Sequence, residues 1–175
     1  MKYLIVSDIH GSADSANHIE RLYRELGCDY ILCLGDVLYH GPRNDLPESY
    51  APKKVIAVLN PLADKIICVK GNCEAEVDQM VLDFKILDSY DATLNGITCH
   101  LEHGHHLDEY QGKPMMIMSG HTHIPVLEMK DGILYLNPGS ITIPKAGSAR
   151  GYAILDERNV ALYDLDSNKL KEYTF

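Results

Sequence analysis

Five short turns in this chain carry the side chains best suited to do chemistry. In order they are Asp8-Ile9-His10-Gly11, Gly35-Asp36, Gly71-Asn72-Cys73-Glu74, His103-Gly104-His105 and Gly120-His121-Thr122-His123. Asp, Asn and imidazole are oxygen and nitrogen donors, and no Cys-x-x-Cys pair accompanies them. Such a set suits Mn²⁺, Fe²⁺ or Zn²⁺ in a reactive centre better than an all-sulfur structural zinc. With only Asp8 and Asp36 charged, two divalent ions would keep a net charge of roughly +2, matched to an anionic phosphate and a hydroxide.

Each turn alone has a structural explanation. Asp36 after a glycine can cap a helix or turn, and Asn72 can be an ordinary turn residue. Asp8 and His10 can be a solvated loop after a strand. Two histidines at 121 and 123 in Gly-His-Thr-His-Ile-Pro have less structural excuse. What unites the turns is their place, because each follows or ends an apolar run with strand character. In open α/β sheets, ligands gather beyond the carboxyl ends of strands. A glycine beside each candidate lets the backbone turn sharply there.

The elements that must position these turns follow from periodicity. Apolar runs at 3–7, 30–34 and 66–69 read as strands. Ile19, Leu22, Tyr23 and Leu26 repeat at helical spacing, with Ser15 as the expected cap and Gly27 as the stop. A Pro- and Gly-rich loop, 41–52, leads into a short helix over 53–59. The second half turns β-rich, with strands expected at 85–94, 97–102, 115–119, 125–130, 133–137, 151–156, 160–165 and 169–174. Asn95-Gly96 and Asp131-Gly132 are two-residue hairpin signals. A strand–helix half joined to a strand-rich half predicts two sheets packed face to face with helices outside.

Bulk properties narrow the function classes. The chain has 175 residues, 46% hydrophobic and 23% charged, which fits one globular domain over 1–175. Its formal net charge is −9 and its longest basic run is Lys53-Lys54, so binding to an extended nucleic-acid backbone is disfavoured. The apolar run Tyr3–Val6 is too short for a signal core or a membrane span, and a cytoplasmic location without membrane contact is the expectation. Five cysteines, Cys28, Cys33, Cys68, Cys73 and Cys99, read as free thiols of a reducing compartment.

The ordered set D-x-H-G, G-D, G-N-C-E, H-G-H and G-H-T-H resembles the calcineurin-like metallophosphoesterase superfamily, most closely its small bacterial phosphodiesterase branch. The likeness runs from Lys2 to about Pro144 and includes Gly41-Pro42-Arg43 and Asn137-Pro138-Gly139-Ser140. It implies an α/β fold, a four-layer α/β/β/α sandwich of two mixed β-sheets flanked by helices. It also implies two metal ions, one held by Asp8, His10 and His123, the other by Asn72, His103 and His121, with Asp36 bridging both. A shared hydroxide would then attack phosphorus in line in a small phosphate ester, most readily a diester. Ligand hardness and the family point to Mn²⁺, with Zn²⁺, Fe²⁺, Ni²⁺ and Mg²⁺ as alternatives, although the Irving–Williams order by itself favours zinc.

One position departs from the family pattern. Many members carry His directly after the motif Asn, where it assists the leaving oxygen, and here that residue is Cys73. A thiol is a poor substitute for imidazolium near neutral pH, which favours activated or diester substrates. The catalytic candidates are therefore Asp36, Asn72, Cys73 in the usual His position, and His105 as a substrate-facing group. His106 reads as structural, and His18, His40 and His100 match no ligand motif. Arg43 reads as either a phosphate contact or half of a surface ion pair. Relatives of this branch form dimers or tetramers, so a homodimer or homotetramer is the expectation. Two rival readings are a partner-binding scaffold on the same fold, like the Vps29 subunit of retromer, and a phosphomonoesterase.

Overall fold

The computed structural model describes residues 1–175. The first half lays down strands β1 (Lys2–Val6), β2 (Tyr30–Cys33) and β3 (Ile66–Val69), with helices α1 (Ala13–Glu25) and α2 (Pro52–Leu59) in the connections. A single-turn helix α3 (Asp78–Val81) precedes the two-residue strand β4 (Ile86–Leu87). Four strands then build a second sheet with a fifth: β5 (Tyr90–Leu94), β6 (Ile97–Leu101), β7 (Met116–Met118), β8 (Pro125–Lys130) and β9 (Ile133–Pro138). The chain finally returns to the first sheet with β10 (Gly151–Asp156), β11 (Asn159–Asp164) and β12 (Lys169–Thr174).

The result is a seven-stranded sheet ordered β12-β11-β10-β1-β2-β3-β4 against a five-stranded one ordered β5-β6-β7-β9-β8. Strand β1 sits inside the first sheet, parallel to β2 and antiparallel to β10. Its unbroken apolar run is explained by burial on both faces. Leu4 and Val6 pack with Ile19 and Leu22 of α1 and Val55 and Leu59 of α2. Tyr3 and Ile5 point the other way, into a core shared with Ile97, Leu101, Met116, Met118 and Leu136 of the second sheet. The methionines of β7, Met116 and Met118, are thus core.

Several local expectations meet their physical reasons here. Asn95-Gly96 and Asp131-Gly132 both turn with positive φ at each residue, 50° and 78°, then 51° and 81°, the geometry that joins twisted antiparallel strands. The cap of α1 is Ser12, not Ser15: the Ser12 side chain accepts from the Ser15 N–H at 3.2 Å. Ser15 lies inside the first turn, where its hydroxyl donates to the Ile141 carbonyl. The apolar stretch 85–94, expected as one strand, is two. Ile86 and Leu87 pair with β3 in the first sheet, whereas Tyr90 to Leu94 pair with β6 in the second. A run of strand-forming residues signals extension but does not say which sheet edge will supply its hydrogen bonds.

The helical layers are thin. Helices α1 and α2 cover the outer face of the first sheet. Over the second sheet lies only the segment that follows β6, with a 3₁₀ turn at Leu107–Glu109 and the Tyr110 ring stacked on His100 at 3.6 Å. No helix is long and apolar enough to cross a membrane.

Candidate metal centre

Asp8 and His10 follow β1, Asp36 follows β2, and Asn72 follows β3. His103 follows β6, and His121 and His123 follow β7. The two sheets present these carboxyl ends at one edge of the sandwich. Five of the seven donors sit in the left-handed region of backbone space: Asp8 at φ 57°, His10 at 49°, Asp36 at 58°, His121 at 68° and His123 at 61°. Such conformations cost non-glycine residues about 1 kcal/mol or more and persist only where the surroundings over-determine them. The other non-glycine cases include the turn residues Asn95 and Asp131, so strain without an obvious turn role concentrates at this edge.

Backbone contacts hold the loops together. Asp8 N–H donates to the Gly35 carbonyl at 3.1 Å, His10 N–H to Asp36 at 2.8 Å, and Gly120 N–H to His103 at 2.8 Å. Glu74 clamps two ligand loops, its carboxylate accepting the N–H groups of Asp36 at 2.9 Å and Val37 at 2.6 Å, and that of Gly71. Gly71 has no room for a side chain, because a Cβ there would run into the Asp36 carboxylate. The Asn137-Pro138-Gly139-Ser140 stretch works the same way. Asn137 donates to the Gly120 carbonyl, and Ser140 donates to that of Asp8.

Three histidines have their ring orientation fixed from behind. Nδ1–H of His10 donates to the Tyr39 carbonyl at 2.8 Å, that of His103 to Leu34 at 2.6 Å, and that of His123 to Ile143 at 2.6 Å. Each Nε2 lone pair therefore faces the centre, the arrangement typical of metal-ligating imidazoles. There His123 Nε2 lies 3.3 Å from Asp8 Oδ1, and His103 Nε2 lies 3.3 Å from Asp36 Oδ2. His10 Nε2 is 3.6 Å from Asp8 Oδ1 and 3.7 Å from Asp36 Oδ2. The Nε2 atoms of His10 and His123 approach to 3.2 Å, which opposes two lone pairs unless a cation or a proton lies between them. Asp8 Oδ1 and His103 Nε2 are buried without a hydrogen-bond partner, an expensive state for polar atoms. Inward lone pairs, orphaned donor atoms and hard O/N chemistry together fit divalent metal ions.

The remaining two donors are more open. His121 Nδ1 lies 2.7 Å from Asn72 Oδ1. Asn72 Nδ2 donates to Cys73 Sγ at 3.4 Å, and the Cys73 N–H donates to Asp36 Oδ1 at 2.9 Å. The amide oxygen of Asn72 is thereby turned toward His121 and its nitrogen away. All seven expected donors are brought together.

Electrostatics follow from this packing. Burial pushes the Asp8 carboxyl upward, but the imidazoles of His10, His123 and His103 gathered around it outweigh that and hold it well below the carboxylate range. Asp36 is lowered by the same balance, with burial opposed chiefly by His103. Burial works against the charged form of His103, yet Asp36 and Asp8 raise it to about 9. Burial and the neighbouring His103 lower both His121 and His105. The Cys73 thiol is pushed up to about 12 by burial and by Asp36, so it stays neutral.

His105 is exposed, its ring 5.6 Å from His103 and 6.0 Å from His121, beside the centre rather than in it. His106 is exposed and pairs with Glu109. Sequence reasoning missed Glu74 as a clamp, although it stands in the G-N-C-E turn. It also missed Lys145, which lines the same pocket as Asp36, Arg43, Asn72, His121 and His123; no local pattern marks it.

The chain matches the calcineurin-like phosphoesterase superfamily domain over residues 1–160. It belongs to that superfamily. It is similar to phosphodiesterase YfcE of Escherichia coli strain K12, 41% identical over 176 residues, covering 97% of this chain and 95% of the relative. The solved structure of that E. coli phosphoesterase superposes with a TM-score of 0.96 at 39% identity, covering 99% of each chain. Vps29 of Entamoeba histolytica, solved in complex with zinc, has a TM-score of 0.64 at 20% identity over 99% of both chains, a likeness of fold alone.

Proposed function

We propose that the protein is a two-metal phosphodiesterase acting on small phosphate esters. The observation that carries this reading is the ring of inward-facing donors in which Asp8 Oδ1 and His103 Nε2 are buried and unpaired. Membership of the superfamily and the likeness to a phosphodiesterase along nearly the whole chain support it. Asp8, His10 and His123 would hold one cation and Asn72, His103 and His121 the other, with Asp36 shared. When bound, two such ions lower the pKa of a shared water and neutralise charge on the ester oxygens.

The chain's own residues do the rest. Carbonyls of Tyr39, Leu34 and Ile143 hold the imidazoles of His10, His103 and His123 in the tautomer that leaves Nε2 free. Glu74 and the Cys73 N–H fix the Asp36 loop and carboxylate. Cys73, a neutral thiol, offers no charge to a departing alkoxide, which favours diesters or activated esters with stable leaving groups. His105, exposed beside His103 and His121, is the group we favour to exchange a proton with the leaving oxygen. Manganese is the metal we favour from donor hardness. A cytoplasmic location accords with five free cysteines.

The test is hydrolysis of bis-p-nitrophenyl phosphate by purified protein with Mn²⁺. Activity that disappears in Asp36→Ala and His121→Ala is the expected result. Metal-loaded protein inert across a broad ester panel would instead favour a scaffold, and faster turnover of p-nitrophenyl phosphate would make it a monoesterase.

A further inference from the structure

The pocket beside the donor ring is lined by Asp36, Asn72, Cys73, His121 and His123, and also by Arg43 and Lys145. Asp36 is its only carboxylate, in a chain whose net charge is −9. Of the 16 Lys and Arg residues of the chain, five sit in ion pairs: Lys2 with Asp156, Arg24 with Glu20, Lys65 with Asp64, Arg150 with Asp14 and Lys169 with Glu172. Arg43 and Lys145 make no such pair, so the ion-pair alternative for Arg43 drops out.

Both are exposed at the rim, on loops tied to the centre through the backbone. Lys145 N–H donates to the carbonyl of His123 at 3.3 Å, and its own carbonyl accepts the Ser148 hydroxyl at 2.7 Å. The loop bearing Arg43 is pinned by Asn44, whose side chain donates to the His40 carbonyl at 2.7 Å. Gly41, at φ 80°, packs so close to Cys73 that an added Cβ would stand 2.9 Å from Sγ. Two unpaired cations are thereby placed at one mouth by two different ligand loops.

Charge counting then bears on the substrate. Two divalent ions would bring four positive charges, of which Asp8, Asp36 and an attacking hydroxide offset three. Arg43 and Lys145 add two more, and a phosphodiester supplies only one negative. We propose that this pocket selects diesters in which one arm carries a further anionic group, held by Arg43 and Lys145 as a subsite beyond the scissile phosphorus. Arg presents a planar fork to such a group and Lys a point charge. The proposal rests on the phosphodiesterase reading and deepens it.

The experiment uses the p-nitrophenyl ester of thymidine 5′-phosphate with and without a 3′-phosphate, on the manganese-loaded protein. A preference for the 3′-phosphorylated ester in kcat/KM is expected, carried mainly in KM. Each partly screened cation should contribute roughly two- to fivefold, so the Arg43→Ala/Lys145→Ala pair should bring the ratio of the two kcat/KM values close to one. Arg43→Lys and Lys145→Arg should restore most of the ratio. A wild-type ratio near one, or a ratio the double variant leaves intact, overturns the proposal while leaving diester hydrolysis standing.

Calorimetry supplies the readout that does not depend on turnover. Thymidine 3′,5′-bisphosphate should bind more tightly than thymidine 5′-phosphate in wild type, and equally in the double variant. If that difference is seen in a protein inert on every diester, the subsite stands and the phosphodiesterase reading falls. Equal binding of the two nucleotides by wild type sinks the subsite.

Discussion

Replacing Glu74 by alanine removes the acceptor of three backbone N–H groups at once, those of Asp36, Val37 and Gly71. A buried N–H stripped of its acceptor costs about 1–3 kcal/mol, which bounds the total at about 3–9 kcal/mol. Two effects reduce it. Water can reach the vacated space from the adjoining pocket, and the repulsion between Glu74 and Asp36, which with burial raises the Glu74 pKa, disappears. A loss of about 3–5 kcal/mol is the expected outcome. For a chain of this size each kcal/mol lowers Tm by about 2–4 °C, so metal-free Glu74→Ala should melt about 10 °C below wild type. Glu74→Gln keeps one oxygen for Asp36 and Gly71 but sets an NH₂ against Val37, so it should lose about 1–3 kcal/mol. Because the clamp joins the turn carrying Asp36 to the turn carrying Asn72, manganese affinity should fall about 10–100-fold in either variant. Differential scanning calorimetry of the metal-free proteins and isothermal titration with Mn²⁺ measure the two effects separately. A Glu74→Ala protein with wild-type Tm and wild-type manganese affinity would rule out the clamp, since it would mean the three N–H groups find other acceptors without disturbing the site.

Further outcomes follow from the same geometry. His103, raised to about 9 when folded against about 6.5 unfolded, adds stability that is fully present below pH 6.5 and lost as pH rises toward 9. Metal-free protein should therefore lose up to about 3 kcal/mol across that window, and a flat Tm against pH between 6 and 9.5 would contradict it. Manganese binding at pH 7 must displace that proton, so titrations in buffers of different ionisation enthalpy should show release of about one. Gly71→Ala places a methyl against the Asp36 carboxylate and should abolish tight metal binding; wild-type affinity by titration would show that the loop yields freely. Cys73, partly exposed yet with its thiol pushed up to about 12, should react with iodoacetamide at pH 8 far more slowly than a free thiol of pKa about 8.5, as mass spectrometry of the labelled peptide would show.

All seven proposed metal donors were legible as residue types because each stands in a glycine-bearing turn beyond a strand, and both are local properties. The hairpins at Asn95-Gly96 and Asp131-Gly132 were legible for the same reason, since positive φ at two successive residues is a demand on side-chain identity. Ser15 reads as the cap of α1 in place of Ser12, because its sequence neighbourhood does not show that Ser15 will find the Ile141 carbonyl, 126 residues away. The division of 85–94 between two sheets depends on which edge lies beside each segment. Glu74 looks like any surface acid until the Asp36 and Gly71 turns are laid side by side, and Lys145 carries no signal because nothing in its own neighbourhood makes it a site residue.

Composition, donor chemistry and turn propensity thus belonged to the sequence, because each is decided within a few residues along the chain. The tertiary structure alone decided convergence. Strand β1 had to be inserted between β2 and β10, with β6 and β7 stacked over it, before residues 8 and 123 could place Asp8 Oδ1 and His123 Nε2 3.3 Å apart. Such long-range pairings are fixed by burial of both faces of a sheet, a cooperative property of the whole core. The second-layer acceptors and the two unpaired cations of the pocket exist as a site only once that core has closed.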